Sequence, residues 1–438
     1  MGGYFSAVLL LGDFIEVLVV KLLIYSHFFQ PSVGGVESIT LSLASGLAEL
    51  RLADGRPEFE VVVVTETPAG NLNDRALPFL VFRRPTTVQL WRLVRACDVA
   101  HLAGPALVPL ILCRIARKPT VIEHHGYQAI CPNGLLVHKP DGCVCPGHFL
   151  QRHYRQCAKC LAHDSSPPRN WLKLLLAFPR YALARRAEAN IAVSRYSLER
   201  CGLPRSSVIY HGIADPLPNY IPLEAATSDE SKILFAYVGR LVSEKGISFL
   251  LQAASVLREE GYSFGIRLIG DGPERSNIES IIAQRSLQSH VRITGFLTST
   301  ALAEVIRSVH VVVMPSVWEE TAGLAAIEQM MRGKLVIASD IGGLGEVLDD
   351  SGLKCQPGDV KALADAMRRV LQQPSIVGSL GQQARTRALG FFRRDSMITS
   401  HSQVYRGLVA RSHAVSGASA TTATCPDGQV EPPSQSMK

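Results

Sequence analysis

The sequence of 438 residues predicts two doubly wound α/β domains in tandem. Strand-like apolar runs alternate with helical periodicity over nearly the whole chain, which favours parallel sheets covered by helices on both faces. The alternation lapses once, at 215–231, into residues such as Pro, Asn, Asp and Ser, and then restarts. We therefore expect a ligand crevice where the carboxyl ends of the two sheets face each other.

The first domain is expected at residues 21–214 and the second at 232–395, with 215–231 as the linker and a C-terminal helix at 396–412. Apolar runs predict strands in the first domain at 22–26, 60–65, 79–82, 99–102, 120–123, 190–193 and 207–210. In the second domain they predict strands at 233–238, 265–269, 291–294, 311–314 and 335–338. Helices are expected between them, near 247–259, 273–283, 301–308, 323–332 and 360–371.

Composition excludes some classes of protein. With 47% hydrophobic and 19% charged residues the chain is globular, and a net charge of +7 fits phosphorylated substrates or an anionic membrane better than nucleic acid, for which no motif is present. Residues 1–20 form an apolar extension without the basic region and cleavage site of a signal peptide. We therefore expect a reducing, cytoplasmic location in which the ten cysteines are mostly thiols. Residues 413–438, rich in Ser, Ala, Thr, Gly and Pro, are predicted to form a disordered tail.

A pair of carboxylates eight positions apart is the most informative motif. Glu320 and Glu328 bracket the glycine-bearing turn and the helix start that follow the predicted strand 311–314. Free N–H groups at such a helix start can hold a diphosphate, while carboxylates can accept hydrogen bonds from sugar hydroxyls. The pattern thus suits a sugar nucleotide, although an acidic helix start also occurs in ordinary α/β domains.

Three further loops follow predicted strands. Gly239 and Arg240, with Lys245 five positions later, are well suited to neutralise a pyrophosphate; the alternative is a surface loop with routine basic residues. Gly270-Asp271-Gly272-Pro273-Glu274 is predicted to form a tight turn with proline at the first helical position. It could serve only to connect the strand to the helix, and this interpretation is nearly as good as the functional one, in which the turn also borders a nucleotide base. Gly34-Gly35 after the first strand can bring backbone close to a ligand.

These motifs, in this order and spacing, resemble those of the retaining glycosyltransferases of family 4, which have the GT-B fold of two Rossmann-like domains facing across a cleft. The resemblance covers roughly residues 21–405. It implies that Arg240 and Lys245 bind the donor diphosphate and stabilise the departing nucleotide, that Glu320 contacts the transferred sugar, and that Glu328 binds the ribose hydroxyls. No metal or other cofactor is implied for catalysis, and no Asp-x-Asp motif lies near a strand end.

The resemblance also implies roles for other positions. The backbone at Ala322, Gly323 and Leu324 would lie beside the sugar, Gly34 and Gly35 would close on the phosphates, and His125 would face the donor sugar and the acceptor. Two departures are present: Gly126 stands where many relatives carry Asp, and Thr321-Ala322 replaces the commoner Gly-Phe. The sugar pocket is therefore expected to differ in shape, while every charged group that the chemistry needs is kept.

Five cysteines fall within the segment 127–163, just after the strand that ends near His124. Cys157 and Cys160 have the spacing of a metal knuckle, and Cys131 and Cys145 could complete a tetrahedral thiolate set, with His148 and His153 as substitutes. A subgroup of family 4 resembles this pattern. A structural zinc is one interpretation; the others are unligated thiols in a lid, or disulfides in an oxidising environment.

The predicted function is the transfer of a hexose-type sugar from a UDP- or GDP-sugar to a lipid-linked, saccharide or natural-product acceptor. The alternatives are a UDP-sugar epimerase with the same two-domain cleft and a non-catalytic sugar-nucleotide-binding protein. A basic, leucine-rich helix at 171–186 could lie on anionic lipid headgroups, or could simply pack on the first domain with its arginines solvated.

Overall fold

The computed structural model describes residues 19–163, 167–218, 232–297 and 299–420. The apolar extension up to residue 18, most of the predicted linker and the end of the predicted tail lie outside the described residues. Both predicted domains contain a parallel sheet covered by helices, as the alternation of apolar runs and helical periodicity predicts.

The first domain is built by alternating strands and helices. In chain order the elements are β1 (Val20–Ser26), α1 (Gly35–Glu49), β2 (Phe59–Thr65), β3 (Leu80–Arg83), α2 (Thr87–Ala96), β4 (Val99–Ala103), α3 (Leu107–Ile115), β5 (Thr120–His124), β6 (Val137–His138), β7 (Cys143–Val144), α4 (Tyr154–Ala162), α5 (Pro167–Ala184), β8 (Ala189–Ala192), α6 (Arg195–Cys201) and β9 (Ser206–Val208). Within the described residues, seven of these strands form one parallel sheet in the order β3-β2-β1-β4-β5-β8-β9.

The second domain repeats the pattern. Its elements are β10 (Ile233–Val238), α7 (Ile247–Glu259), β11 (Phe264–Ile269), α8 (Arg275–Gln284), β12 (Val291–Gly295), α9 (Ser299–Arg307), β13 (Val311–Met314), α10 (Leu324–Met331), β14 (Leu335–Ser339), α11 (Gly342–Leu348), β15 (Leu353–Cys355), α12 (Val360–Gln372), α13 (Ile376–Phe391) and α14 (Arg394–Ala420). The parallel sheet has the order β12-β11-β10-β13-β14-β15, which is the doubly wound order.

The central strands are apolar along their whole length because helices cover both faces of each sheet. Val311 to Met314 in β13 are buried, and so are Val121 and Ile122 in β5. Each face of the second sheet carries its own core cluster, one beneath α7 and α12 and the other beneath α10, α11 and α13. This burial fixes the strands, so the loops at their carboxyl ends are held in place for function.

Several elements differ from the sequence predictions, and among them helices α11 and α13 were not predicted. The β6–β7 hairpin and the edge strand β15 were not expected, because strands of two or three residues carry no periodicity. The predicted disordered tail is wrong for residues 413–420, since α14 continues to Ala420.

Helix α14 returns from the second domain to the first. Met397, Ile398 and Tyr405 join the core cluster of the first domain, where α14 packs against α1. The two domains are therefore connected in two places: by the backbone bridge between Ile213 and Arg393, and by this helix. Among the described residues, no helix combines the length and the apolar character that a bilayer span requires.

Candidate functional site

The candidate site lies at the carboxyl ends of β10 and β13. These two strands are neighbours in the sheet, and their crossover connections run in opposite directions, to β11 and to β14. A doubly wound sheet binds ligands at this switch point. The loop after β10 carries Gly239, Arg240 and Lys245, and the loop after β13 carries Glu320.

The two loops are in contact. The Lys245 ammonium lies 2.8 Å from the Glu320 carboxylate, and the Ser316 hydroxyl donates to the same carboxylate oxygen. Gly246, at φ +67°, allows this approach, because a Cβ there would lie 1.9 Å from the carbonyl oxygen of Pro315. Glu320 is buried, so its charge requires a partner, which Lys245 supplies.

Arg240 and Glu328 differ from this pair. Arg240 is exposed, and within the described residues its guanidinium forms no ion pair. Glu328 lies on α10, part-buried, and burial raises the pKa of its carboxyl group although Arg332 opposes the shift. In the part of the chain that the structure describes, no side chain hydrogen-bonds to the Glu328 carboxylate. Both groups thus remain available to a ligand.

The Gly270-Asp271-Gly272 turn packs backbone against backbone on the loop after β10. A Cβ at Gly270 would lie 1.9 Å from the Gly239 carbonyl oxygen, and one at Gly272 would lie 2.3 Å from that of Leu241. The Asp271 carboxylate accepts a bond from the Gly272 N–H, which lowers its pKa, and it also pairs with Arg275. The helix begins at Arg275, so the prediction that Pro273 occupies its first position is wrong. This geometry supports the structural interpretation of the turn.

The start of α10 meets the glycine loop of the first domain. Gly323, at φ +67°, caps α10 and follows Ala322, while Leu324 is its first helical residue. A Cβ on Gly35 would lie 3.2 Å from Leu324 Cδ2, so Gly35 and the start of α10 face each other across the cleft. Gly34 precedes α1 in an extended conformation. The structure therefore brings the glycines predicted to close on the phosphates next to the segment predicted to lie beside the sugar.

His125 belongs to a buried cluster centred on Glu123. The Nε2 atoms of His101, His125 and His401 lie 3.3, 3.5 and 3.6 Å from Glu123 Oε2, and His211 Nε2 lies 3.9 Å from Oε1. His125 Nδ1 is also 3.0 Å from His211 Nε2. From the second domain, the Thr321 hydroxyl donates to the His125 carbonyl oxygen at 3.0 Å. The departure at Thr321 thus joins the two domains at the predicted catalytic histidine.

Burial sets the protonation of this cluster. Burial raises the pKa of the Glu123 carboxyl, but the surrounding imidazoles, with His125 and His401 foremost, outweigh it and hold that pKa well below its usual range. Burial lowers the pKa of His125, and it lowers that of His211 to about 3. His125 is therefore neutral at physiological pH, with Nδ1 directed at His211 and Nε2 at Glu123.

Two carboxylates of the second domain hold α6 of the first. Glu319 accepts from Tyr196 Oη at 2.5 Å and from Arg200 Nε at 2.9 Å. Glu346 accepts from the backbone N–H groups of Arg195 and Tyr196 at 3.0 and 2.9 Å. These bonds join the domains on the side of the cleft next to Glu320.

The four predicted metal ligands line one small cavity. Cys131, Cys145, Cys157 and Cys160 are all buried around it, together with His138, and the half-buried His148 also lines it. His153 is exposed at the start of α4, so it does not substitute for them. Burial and the neighbouring thiols raise the pKa of Cys157 to about 12. Residues far apart in the segment thus converge on one point.

Other residues could also hold a metal ion. Three groups have potential ligand atoms within 4.8 Å of one another: His101 with Glu123 and His401, Glu123 with His125 and His211, and His138 with Asp141 and Cys143. In the first group two ring nitrogens have protein partners, since His101 Nδ1 contacts the Tyr405 hydroxyl and His401 Nδ1 contacts the Met397 carbonyl oxygen. These bonds would fix the rings with Nε2 directed at Glu123.

Sequence reasoning missed Glu123, His211, Glu319 and Glu346. His211 directly follows a predicted strand, which is the position that drew attention to the other loops, so that signal could have found it. Glu123 adjoins two histidines. Nothing local marks Glu346, because its partners lie in the other domain.

Residues 223–387 match the family model of the glycosyl transferases group 1. Among curated relatives, an alpha-D-kanosaminyltransferase of Streptomyces kanamyceticus is 31% identical over 35% of this chain and 40% of its own length. A 2-deoxystreptamine glucosyltransferase of the same organism is 36% identical over 33% of this chain and 38% of its own length. The chain thus spans about two fifths of the length of these relatives.

Solved structures match over more of the chain. The Anabaena protein HepE, in complex with UDP and glucose, has a TM-score of 0.66 at 18% identity, covering 88% of this chain and 99% of its own. Sucrose-phosphate synthase from Thermosynechococcus elongatus has a TM-score of 0.65 at 22% identity, covering 90% and 100%. This chain therefore has the GT-B fold, and its second domain, with the candidate donor loops, is similar to the glycosyl transferases group 1.

Proposed function

We propose that this protein is a retaining glycosyltransferase of family 4, which moves a hexose-type sugar from a UDP- or GDP-sugar to an acceptor hydroxyl. One observation carries the proposal. Lys245 and Glu320, from loops at the switch point of the second sheet, form an ion pair at 2.8 Å in which Glu320 is buried and Lys245 half-buried. A cation for the diphosphate and a carboxylate for the sugar thus stand side by side, at the place where the fold binds ligands.

The chemistry follows from charge. The bond between the anomeric carbon and the diphosphate oxygen breaks, and its electron pair leaves with the nucleoside diphosphate. Arg240 and Lys245 stabilise the negative charge that develops there. The acceptor oxygen then bonds to the anomeric carbon and passes its proton to an oxygen of the departing diphosphate. The donor motifs are similar to those of retaining enzymes, which supports attack on the same face of the sugar from which the leaving group departs.

His125 would act on the other side of the sugar. Its ring is neutral because of burial, and Glu123 and His211 orient it. The Thr321 hydroxyl fixes its backbone relative to the loop that carries Glu320. A sugar or acceptor hydroxyl would have to compete with Glu123 or His211 for one of the two ring nitrogens.

The relatives support the substrate class. HepE binds UDP and glucose, in keeping with a nucleoside diphosphate donor. The kanosaminyl- and glucosyltransferases of Streptomyces kanamyceticus support a natural-product acceptor as one option. A lipid-linked or saccharide acceptor is the other, and a surface of the first domain favours the lipid-linked one.

Helix α5 presents an apolar face to solvent. Trp171, Leu172, Leu175 and Phe178 are exposed on it, while Leu174 and Ala177 pack inward. The neighbouring α3 exposes Val108, Ile111 and Ile115. Soluble proteins rarely expose such a contiguous apolar patch without a partner. Packing on the first domain thus accounts for only the inner face of α5.

Basic residues accompany this surface. Arg114 and Arg117 lie at the end of α3, and Arg185 and Arg186 follow α5; all four are exposed. Apolar side chains with a basic rim are typical of a protein that lies on anionic lipid headgroups. We therefore propose peripheral contact with a membrane that carries the acceptor, at its cytoplasmic face.

Vesicle binding tests the membrane contact. Wild-type protein should sediment with vesicles that contain anionic phosphatidylglycerol and less with purely zwitterionic vesicles, and the double variant Leu172→Glu/Leu175→Glu should lose this binding. Phe296→Glu, at an exposed phenylalanine of the second domain, is the control and should retain it. Equal sedimentation of the double variant and the wild type would contradict the proposal.

A donor panel tests the transferase proposal. UDP- and GDP-sugars are incubated with the protein and candidate acceptors, and the released nucleoside diphosphate and the anomeric configuration of the product are measured. Glu320→Ala and Lys245→Ala should each lower turnover by about 100-fold or more. The control Lys361→Ala changes an exposed lysine on α12. If both site variants turn over every accepted donor as the wild type does, these residues have other roles.

A further inference from the structure

A second chemical centre lies outside the donor site, in the cysteine-rich segment. Cys131 lies in the loop after β5, Cys145 follows the β6–β7 hairpin, and Cys157 and Cys160 lie one turn apart on α4. All four line the same small cavity. We propose that these four thiols, as thiolates, hold one structural zinc ion that ties the loop, the hairpin and the helix together.

Two imidazoles distinguish this cavity from an ordinary thiol-lined core. His138 Nε2 and His148 Nδ1 are buried and have no hydrogen-bond partner, although both residues line the cavity. Buried polar nitrogens are nearly always satisfied in folded proteins, so two unpartnered nitrogens beside four thiols distinguish this cavity from an apolar core and suit it to a cation. His138 Nδ1 is held by Asp141 at 2.7 Å, which fixes the ring with Nε2 toward the interior.

Two N–H donors face the Cys160 sulfur, and the Cys160 thiol itself donates to the Val137 carbonyl oxygen at 3.3 Å. Asn133 Nδ2 lies 3.1 Å from its Sγ, and the Lys139 N–H lies 3.5 Å from it. Such donors lower the charge on a metal-bound thiolate and orient it. Asn133 Oδ1 also accepts from the Cys131 thiol at 3.0 Å, so one amide touches two of the four sulfurs.

The present spacing is wider than that of a closed site. The four thiols are not among the described groups in which three or more potential ligand atoms lie within 4.8 Å of one another. Tetrahedral zinc, with Zn–S bonds of about 2.3 Å, needs sulfurs about 3.8 Å apart. Metal binding therefore draws the sulfurs inward and tightens the segment around the ion.

The site is connected to the donor loops. The Cys145 carbonyl oxygen accepts from Arg200 Nη2, and Arg200 Nε pairs with Glu319, next to Glu320. The Cys131 N–H bonds the Tyr127 carbonyl oxygen at 2.8 Å, two residues after His125. A zinc ion would thus stiffen both the His125 loop and the contact between the domains, which is a structural role.

Metal analysis of the full-length protein tests the proposal. Protein purified without chelators should contain about one zinc ion per chain, and the double variant Cys157→Ser/Cys160→Ser should contain about none. Cys143→Ser is the matched control, because Cys143 is exposed on the same hairpin and does not line the cavity. It should retain the metal. Wild-type protein without stoichiometric metal overturns the proposal, and so does loss of metal from Cys143→Ser alone.

A second measurement covers a double variant that fails to fold. Wild-type protein depleted of zinc and reloaded with Co²⁺ should show the intense charge-transfer absorption of cobalt bound by several thiolates, and its melting temperature should rise on reloading. Absence of that absorption in folded protein overturns the proposal. Neither the metal content nor the cobalt absorption depends on turnover. The zinc proposal can therefore fail while the transferase proposal holds, and the transferase proposal can fail while the zinc proposal holds.

Discussion

The Lys245 ammonium lies 2.8 Å from the Glu320 carboxylate, although the two residues come from loops that follow different strands of the second sheet. A donor diphosphate would compete with Glu320 for Lys245, and a hexose hydroxyl would compete with Lys245 for Glu320. Under the proposed function, donor binding would replace this ion pair with contacts from Lys245 to the diphosphate and from Glu320 to the hexose. Arg240 is exposed, so it would be accessible to the phosphates before the pair separates.

The coupling between these residues can be measured. Lys245→Ala leaves the buried Glu320 carboxylate without its cation, so we expect Lys245→Ala/Glu320→Ala to lose much less activity than the sum of the single variants, with an interaction free energy of about 1–3 kcal/mol. Arg240→Ala combined with Glu320→Ala should be closer to additive. The measurement is kcat/KM for the accepted donor. Strict additivity of Lys245 and Glu320 would show that their contact does not persist in the working enzyme.

Gly246 is expected to be intolerant of any side chain. Its φ is +67°, and a Cβ would lie 1.9 Å from the Pro315 carbonyl oxygen, so Gly246→Ala forces apart the two loops that carry Lys245 and Glu320. Gly261 is a matched control, with φ +83° and nothing within 4 Å of its Cβ. Gly261→Ala should cost about 1–2 kcal/mol from the backbone alone. Gly246→Ala should cost about 1–3 kcal/mol more, from overpacking.

Urea unfolding followed by circular dichroism measures both variants. Gly246→Ala should also lose activity, whereas Gly261→Ala, on the turn after α7, should keep it. Equal losses of stability in the two variants would show that the loops can separate without cost.

The sequence predicted the fold class but not every element. Apolar runs in the sequence predicted twelve strands, because parallel strands buried on both faces must be apolar along their length. The β6–β7 hairpin and β15 were not predicted, because strands of two or three residues are too short to show an apolar pattern. For the site, strand ends located Arg240, Lys245 and Glu320. The positive φ of Gly246 and the carboxylates Glu319 and Glu346 depend on contacts between distant segments, which local sequence does not record.

His124 should make stability depend on pH. Burial lowers its pKa from 6.5 to about 4, and its Nε2 bonds Asn190 Oδ1 at 2.9 Å. Above pH 6.5 the ring is neutral in both states, so its contribution is fully present. Between pH 6.5 and 4 the unfolded chain binds a proton that the folded protein excludes, and the free energy of unfolding falls by about 1.4 kcal/mol per pH unit for this histidine.

Denaturant titrations at several pH values test this dependence. His124→Asn should flatten the slope between pH 6.5 and 4 by about that amount, whatever its effect on stability at pH 7. His27→Asn, at an exposed histidine, is the control and should leave the slope unchanged. A variant at His124 with the wild-type slope would mean that the ring reaches solvent in the folded protein.

Glu346 should hold the two domains together. Its carboxylate accepts from the first N–H groups of α6, at Arg195 and Tyr196, and from the Tyr210 hydroxyl at 2.6 Å. Glu346→Ala leaves these donors without their acceptor and removes a negative charge from a helix N-terminus, so we expect the free energy of unfolding to fall by about 1–3 kcal/mol.

The exposed pair of Glu304 with Arg307 supplies the control, because Glu304→Ala should change stability by no more than about 0.5 kcal/mol. Thermal unfolding of Glu346→Ala should also separate into two transitions, one for each domain, since the bonds between them are weakened. A single wild-type transition for Glu346→Ala would show that α14 alone is enough to keep the domains cooperative.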